Sequence, residues 1–203
     1  MAKKYSVIVF DLGNVQIPFD YSIVAKKLNE IEKDLGTKFT NFYQNNYAVH
    51  RSFERGDISE EEFIKTMLDS IDNKIDAETF YKIYSDIFKV NEDVVSLLPK
   101  LKEKYMLVLL SNTNSVHKKY GWGKYDFLKI YDKLILSHEA NSVKPEEKIY
   151  RAVEAFTKKP SDEHFFIDDI PEYVKAAKKI GWDAVQFTNY EQLVADLKKR
   201  NIL

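Results

Sequence analysis

The stretch that decides the fold is Val7-Ile8-Val9-Phe10-Asp11-Leu12-Gly13-Asn14-Val15. Its first four residues are apolar and include two valines and an isoleucine, which is typical of a strand buried on both faces. This strand ends at Asp11, and Gly13 follows two positions later. In an open α/β sheet, ligands bind beyond the carboxyl ends of the strands. Asp11 is therefore placed to serve as a nucleophile or a metal ligand, and equally as a turn or helix-capping acid.

The second half of the chain alternates between apolar runs and helical patterns. The runs predict four more strands, at residues 106–110, 133–137, 164–167 and 184–187. Helices are predicted over residues 91–104, 145–156 and 171–180, with Pro145 and Pro171 as first helical residues. Asn189 and Gln192 predict the cap of a last helix. This alternation indicates parallel βαβ units.

The region from about residue 23 to residue 90 shows helical patterning almost throughout. Gly36 is a plausible stop for its first helix. Ser59 and Glu62 match a capping box, and Asp76 or Ala77 begins a later helix. We therefore expect a small helical bundle, inserted after the first strand.

The composition is that of an ordinary globular protein: 44% of the 203 residues are hydrophobic and 31% are charged. The 31 basic and 32 acidic residues nearly cancel, so nucleic acid is not an expected partner. The absence of cysteine excludes disulfides and thiol catalysis. The sequence has no apolar run of membrane-spanning length and no room for a signal peptide before the first strand. We expect no membrane association and a cytoplasmic location.

Polar residues cluster where the predicted strands end or in the loops that follow. They are Asp11, Ser111-Asn112-Thr113, Lys144 and Asp168-Asp169. In a parallel sheet these positions share one edge. Two adjacent acids after an apolar strand are costly to bury unless they are paired, and Mg²⁺ takes carboxylates together with phosphate oxygens. A structural ion-pair cluster is the alternative interpretation.

Four segments, in this order, resemble the four motifs of the haloacid dehalogenase (HAD) superfamily. They are Phe10-Asp11-Leu12-Gly13-Asn14-Val15, Leu110-Ser111-Asn112-Thr113-Asn114, Lys144-Pro145-Glu146 and Phe166-Ile167-Asp168-Asp169. The resemblance covers essentially the whole chain and is nearest to bacterial α-D-glucose-1-phosphate phosphatases. It implies an α/β fold with a Rossmann-like three-layer core and a parallel sheet, formed by residues 1–17 and 91–203. Residues 18–90 would form a small all-helical cap of the C1 type, inserted after strand 1.

The resemblance further implies a magnesium-dependent phosphatase that hydrolyses small phosphorylated metabolites, sugar phosphates among them. Asp11 would attack phosphorus and form an aspartyl-phosphate. Magnesium would be bound by Asp11, Asp169 and the Gly13 carbonyl, with Asp168 acting through water.

The phosphoryl group would be held by the remaining motif residues. Ser111 and the backbone amide of Asn112 would bind its oxygens, and Lys144 would neutralise both Asp11 and the transferring group. A monomer and a homodimer are both compatible with the sequence.

One position departs from the usual phosphatase pattern. Most phosphatases of this superfamily carry a second Asp two residues after the nucleophile, where this chain has Gly13. A positioned acid or base typically contributes about 10²–10⁴-fold to a rate. An enzyme with this glycine would prefer good leaving groups, such as a sugar 1-phosphate or an acyl phosphate, or would take its proton from another group, for example one delivered by the cap. Two further alternatives stay open: a catalytically weak or inactive protein that binds phosphorylated ligands, and a 2-haloacid dehalogenase.

Some residues outside the motifs are weaker candidates. Tyr47, His50, Arg51 and Arg55 could lie close together on a cap helix and contact the leaving group, although such residues more often form cap core and surface. The histidines at positions 117 and 138 have no partner at a diagnostic spacing, so we interpret them as incidental.

Overall fold

A computed structural model describes residues 4–203 of the chain. Residues 1–3 lie outside this range. They belong to the predicted core segment 1–17 and to the stretch considered for a signal peptide. Five parallel strands form one sheet in the order β3-β2-β1-β4-β5. The strands are β1 Val7–Phe10, β2 Met106–Ser111, β3 Lys133–Leu136, β4 His164–Asp168 and β5 Asp183–Gln186. The predicted α/β fold with a parallel sheet is confirmed.

The register of the sheet determines which strand ends meet. Phe10 pairs with Leu109 of β2 and with Ile167 of β4. Asp11 follows immediately, and its backbone N–H donates to the Ile167 carbonyl at 2.9 Å. The central strand therefore ends beside both neighbours at one edge of the sheet.

Each face of the sheet has its own apolar layer. Ile8 and Phe10 point into one buried cluster, whereas Val7 and Val9 belong to another. The period-two alternation of a strand explains this division, and burial on both faces explains why the run is continuously apolar.

The helices of this part of the chain, including the short ones, are α6 Glu92–Val95, α7 Leu98–Lys102, α8 Ser137–Ala140, α9 Glu147–Thr157, α10 Pro171–Lys179 and α11 Tyr190–Lys199. Single turns of 3₁₀ or π helix cover His117–Gly121, Trp122–Lys124, Asp126–Ile130 and Ser161–Glu163.

Five helices between β1 and α6 form a separate bundle, which we call the helical insertion. They are α1 Ser22–Ile31, α2 Leu35–Asn45, α3 Tyr47–Arg55, α4 Glu60–Ser70 and α5 Ala77–Ser85. The bundle has its own buried core, in which Phe53 stacks on Phe63 at 4.2 Å between ring centroids. The chain enters and leaves it side by side, since the Lys89 N–H donates to the Pro18 carbonyl at 2.9 Å. The division at residues 17/18 and 90/91 stays a prediction.

Several local predictions about capping are confirmed. The Ser59 hydroxyl accepts the Glu62 N–H, and Asp76 caps α5. Pro171 is the first residue of α10, and the Asn189 side chain caps α11 by accepting the Gln192 N–H.

Three local predictions are wrong. Gly36 does not stop a helix but lies in the first turn of α2, where a Cβ would come within 2.0 Å of the Ala25 carbonyl oxygen, so glycine permits close helix packing. Pro145 is not the first helical residue: α9 begins at Glu147, after a turn in which the Glu146 N–H donates to the Val143 carbonyl at 2.8 Å. The helix expected over residues 91–104 is broken into α6 and α7, although Asn91 caps the first of them as predicted.

Within residues 4–203, no helix has both the length and the apolar character required to cross a membrane.

Candidate active site

Three carboxylates meet at the carboxyl edge of the sheet. Asp11 follows β1, Asp168 is the last residue of β4, and Asp169 comes next. One carboxylate oxygen from each lies within 4.8 Å of the others. Asp11 and Asp168 are buried, whereas Asp169 is half-buried. Buried anions at this spacing repel one another, so the arrangement requires positive charge.

Lys144 supplies part of that charge. Its Nζ lies 2.6 Å from Oδ1 of Asp11 and 2.6 Å from Oδ2 of Asp168, and the side chain is only 1% exposed. Burial by itself would lower the pKa of Lys144, but the two carboxylates more than offset this and hold the pKa above its usual value. Burial raises the pKa of Asp11, and Lys144 opposes that rise.

The backbone of Lys144 is clamped from both sides of the site. The Asn112 side chain accepts the Lys144 N–H at 2.8 Å and donates to the Lys144 carbonyl at 3.1 Å. Arg51 of α3 donates to the same carbonyl. Asn112 also donates to the Tyr173 hydroxyl at 3.2 Å. The loop after α8 is thus held by Asn112, which directly follows β2, and by Arg51 of the helical insertion, while Tyr173 of α10 contacts Asn112.

The loop after Asp11 brings two more residues to the edge. The Gly13 carbonyl accepts the Val15 N–H at 2.7 Å, which leaves a second lone pair on that oxygen. Asn14 has a left-handed backbone (φ 54°), and its side chain donates to Asp169 at 3.2 Å. At Gly13, a Cβ would lie 3.0 Å from the edge of the Phe19 ring. A side chain at position 13 would therefore compete with Phe19 for space.

Ser111 ends β2, next to the central strand, and is 2% exposed. Its hydroxyl makes one long contact, at 3.4 Å, with the Asn112 carbonyl. The structure therefore brings Asp11, Ser111, Lys144 and the Asp168–Asp169 pair to the same edge, together with Gly13 and Asn112.

Two cavities open beside these residues. The carboxylate cavity, of about 120 Å³, is lined by residues that include Asp11, Asp169, Lys144, Arg51 and Tyr173. The insertion cavity, of about 240 Å³, lies between the sheet edge and the helical insertion; among its lining residues are Ser111, Tyr21, Tyr43, His50 and His117. Both are lined by Gly13, Phe19, Tyr47, Glu54 and Asn112, so they adjoin one another.

Helix α3 contributes residues to both cavities, as the spacing of its candidate residues along the sequence suggests. Tyr47 and His50 line the insertion cavity, and Arg51 lines the carboxylate cavity. Arg55 instead pairs with Glu146 and Asp57 and lines neither.

Glu54 is a site residue that the sequence reasoning did not single out. Its carboxylate lies 3.3 Å from His50 Nε2 and 3.3 Å from Arg51. Burial raises its pKa, but hydrogen bonds and charges from His50 and Arg51 outweigh this and lower it overall. Glu54 follows Arg51 by three residues and His50 by four, which places the three side chains on one face of a helix. This spacing is visible in the sequence and could have identified Glu54 as a candidate.

His117 is also not the incidental polar residue that we interpreted from the sequence. It is buried, stacks on Tyr84 at 4.3 Å between centroids, and lines the insertion cavity. By contrast, His138 contacts the Thr113 carbonyl at 3.1 Å and lines a separate surface groove.

A family profile described as haloacid dehalogenase-like hydrolase matches residues 21–187. The chain is 25% identical over 191 residues to a D-ribitol-5-phosphate phosphatase of Bacteroides thetaiotaomicron, covering 90% of this chain and 91% of that one.

Solved structures agree with this match. A HAD family enzyme of B. thetaiotaomicron in complex with magnesium has a TM-score of 0.81 at 25% identity, over 95% of this chain and 99% of that one. The wild-type enzyme with magnesium and inorganic phosphate has a TM-score of 0.77 at 24% identity, over 93% and 98% of the two chains.

Proposed function

Since the chain belongs to the haloacid dehalogenase-like hydrolases, as its four motifs indicated, we propose that it is a magnesium-dependent phosphatase of small phosphorylated metabolites. The observation that carries this proposal is the buried contact of Lys144 with both Asp11 and Asp168, beside the half-buried Asp169. A phosphoryl group is transferred mainly by positioning and by charge neutralisation, and this cluster supplies both.

The donor set fits magnesium. Three carboxylate oxygens within 4.8 Å of one another form the kind of site that a hard divalent cation prefers. We assign direct binding to Asp11, Asp169 and the Gly13 carbonyl. Asp168, whose oxygens accept from Lys144 and from the Ile170 N–H, would act through water. When bound, magnesium would offset the repulsion between the carboxylates and a phosphate.

The chemistry of the chain then follows from these positions. An oxygen of Asp11 attacks phosphorus, the bond to the leaving alcohol breaks, and the alcohol takes up a proton from water. A second water attacks phosphorus, the bond from phosphorus to the Asp11 oxygen breaks, and the proton that this water loses neutralises the hydroxide left by the first step. Lys144 neutralises Asp11 and the transferring group, while Ser111 and the Asn112 amide donate to phosphoryl oxygens.

Gly13 narrows the range of substrates that we expect. Without a general acid at this position, good leaving groups react fastest, such as sugar 1-phosphates and acyl phosphates. The match to a D-ribitol-5-phosphate phosphatase favours sugar or polyol phosphates more broadly. We further propose that residues 18–90 act as a cap over a core formed by residues 1–17 and 91–203, because the helical insertion lines both cavities.

The absence of that acid also favours a second candidate, a protein that binds phosphorylated ligands without turnover. Two assays distinguish the phosphatase, the binding protein and the dehalogenase. One measures phosphate release from sugar, polyol and acyl phosphates, and the other measures halide release from 2-haloacids. Each assay is run with magnesium and with a chelator. We expect phosphate release that the chelator abolishes. Binding without release would support the second candidate, and chelator-resistant halide release would support a dehalogenase.

A further inference from the structure

Gln16 is a buried polar residue in apolar surroundings, five positions after Asp11. Its neighbours along the chain, Val15 and Ile17, both belong to the apolar cluster on one face of the sheet, and Gln16 itself is 0% exposed. Burying an amide costs free energy unless its donor and its acceptor are paired. Gln16 therefore depends on the partners that the fold supplies, and one of them is the backbone of Asp11.

The side-chain amide of Gln16 is oriented by two partners. Its Nε2 donates to the backbone carbonyl of Asp11 at 2.8 Å. A carbonyl only accepts, so the amide nitrogen faces Asp11 and the amide oxygen faces the Tyr131 hydroxyl, which donates to it at 2.6 Å. Burial raises the pKa of Tyr131 well above its usual value, although the hydrogen bond to Gln16 opposes the rise. The hydroxyl therefore keeps its proton and remains a donor.

The backbone of Asp11 is consequently fixed on both sides of its Cα atom. Its N–H donates to the Ile167 carbonyl at 2.9 Å, and its carbonyl accepts from Gln16. With the backbone held, the carboxylate can change direction only by rotation of the side chain, and the contact with Lys144 selects among those rotations. The oxygen that would attack phosphorus is thus placed by three partners.

The loop between Asp11 and Pro18 is closed by its own backbone and attached to Asn91. The N–H groups of Gln16 and Ile17 both donate to the Leu12 carbonyl, at 2.9 and 3.0 Å. The Asn91 N–H donates to the Gln16 carbonyl at 2.8 Å. Gln16 is therefore anchored through its backbone as well as through its side chain.

The connection to the helical insertion begins directly beyond this loop. The Pro18 carbonyl accepts the Lys89 N–H at 2.9 Å, where the chain enters and leaves the insertion. Gln16 lies two residues before Pro18 on the same stretch of chain. A displacement of the insertion would therefore pass through the loop that contains Gln16 before it reached Asp11.

We propose that Gln16 is a positioning residue for the nucleophile: oriented by Tyr131, its amide holds the Asp11 carbonyl and keeps the carboxylate aligned for attack on phosphorus. It does so against displacements that arrive from the helical insertion. This inference rests on the proposed phosphatase function, because it assigns a role in that reaction. A misplaced nucleophile slows the chemical step steeply, whereas the groups that bind the phosphoryl oxygens are unaffected.

The first test removes the amide. Gln16→Met keeps an unbranched side chain of similar length but abolishes both side-chain hydrogen bonds. With magnesium and sorbitol 6-phosphate, we expect kcat to fall by about 10-fold or more, while calorimetry finds the affinity for inorganic phosphate within about twofold of that of the unmodified protein. The matched control is Thr157→Val, which removes a buried contact with His164 at the opposite, amino end of β4. Urea denaturation measures the loss of stability in both variants.

A second variant tests the role of Tyr131. Tyr131→Phe removes only the hydroxyl that orients Gln16, so we expect a loss in kcat of about threefold, smaller than that of Gln16→Met. In the double variant, Tyr131 has no amide left to act through, so kcat should equal that of Gln16→Met alone. Additive losses in the double variant would contradict the orienting role of Tyr131.

A third measurement does not depend on turnover. Beryllofluoride mimics a phosphoryl group and bonds to a carboxylate oxygen, so its affinity in the presence of magnesium reports how well Asp11 is placed. By fluorine NMR, we expect Gln16→Met to bind beryllofluoride about tenfold more weakly than Thr157→Val does. Asp11→Asn should not bind it, which identifies the carboxylate that is observed.

Two results would overturn the positioning role. One is a kcat for Gln16→Met that is no lower than that of Thr157→Val, and the other is an equal loss of kcat and of affinity for inorganic phosphate. If the unmodified protein releases no phosphate but binds beryllofluoride more tightly than Gln16→Met does, the catalytic proposal fails and the positioning of Asp11 stands. If it neither releases phosphate nor binds beryllofluoride, both proposals fail.

Discussion

The ammonium group of Lys144 lies 2.6 Å from Oδ1 of Asp11, and both side chains are buried. Such a contact between two buried charges is favourable only while both partners are present. In this protein the same ammonium also neutralises Asp168, at an equal distance. Lys144 therefore links the proposed nucleophile on β1 to the acidic end of β4.

Replacing Lys144 with methionine should reduce both stability and activity. The substitution leaves Asp11 and Asp168 buried without their cation, so we expect the free energy of unfolding to fall by about 3–5 kcal/mol. Phosphate release should fall by about 10²-fold or more, because a charge that stabilises the transferring group is lost. Urea denaturation and steady-state kinetics measure the two effects. Unchanged kinetics in a folded variant would refute the assigned role.

Asn112 should act by positioning Lys144. Asn112→Ala removes both side-chain hydrogen bonds to the Lys144 backbone, and we expect kcat to fall by about 10-fold or more, since small displacements of a catalytic group are costly. Tyr173→Phe is the control, because it removes only the hydroxyl that accepts from Asn112. Equal losses in the two variants would argue against a specific clamp on Lys144.

Phe19 should prevent a simple restoration of the missing acid. Gly13→Asp alone places new atoms against the Phe19 ring, 3.0 Å from the Cβ position, so we expect little or no gain in rate. Gly13→Asp combined with Phe19→Ala makes room, and kcat for poor leaving groups should rise by about 10-fold or more, within the usual range for general acids. Phe19→Ala alone is the control. A gain from Gly13→Asp alone would show that Phe19 does not limit this position.

Glu54 should contribute stability that depends on pH. Its pKa in the folded protein lies below the usual value of 4.5, so its ionised form stabilises the fold above about pH 4.5. This contribution is lost as the pH falls through the folded-state pKa. We expect Glu54→Gln to lower the free energy of unfolding at pH 7 by about 1–3 kcal/mol, with a smaller difference in acid. Denaturation curves at both pH values measure it, and a difference that grows in acid would contradict the sign.

The strands and their end residues were predictable because their signals are local. Continuous apolar runs such as residues 7–10 and 164–167 indicate strands buried on both faces, and parallel topology then brings Asp11 and Asp168 to one edge. Capping residues such as Ser59 were equally accessible, because each cap is a contact within four residues.

The features that were missed depend on distant contacts. Pro145 fits the start of a helix by itself, but its loop is held by Arg51 and Asn112, which lie far away in sequence. Gly36 resembles a helix stop in the sequence, and only the structure shows that the backbone of Ala25 packs against it. His117 resembles an incidental histidine in the sequence because contacts such as its stacking on Tyr84 join it to residues far away in sequence, although Asn114, three residues earlier, also binds it.

The most direct test of the account is phosphate release by the Asp11→Asn protein. Sorbitol 6-phosphate and an acyl phosphate serve as substrates with magnesium, and Asp162→Asn, at an exposed acid away from both cavities, is the matched control. We predict that the unmodified protein and the control release phosphate, and that Asp11→Asn is slower by about 10³-fold or more, as for the loss of other enzymatic nucleophiles. Equal rates in the two variants would contradict a nucleophilic role for Asp11, and with it the proposed mechanism.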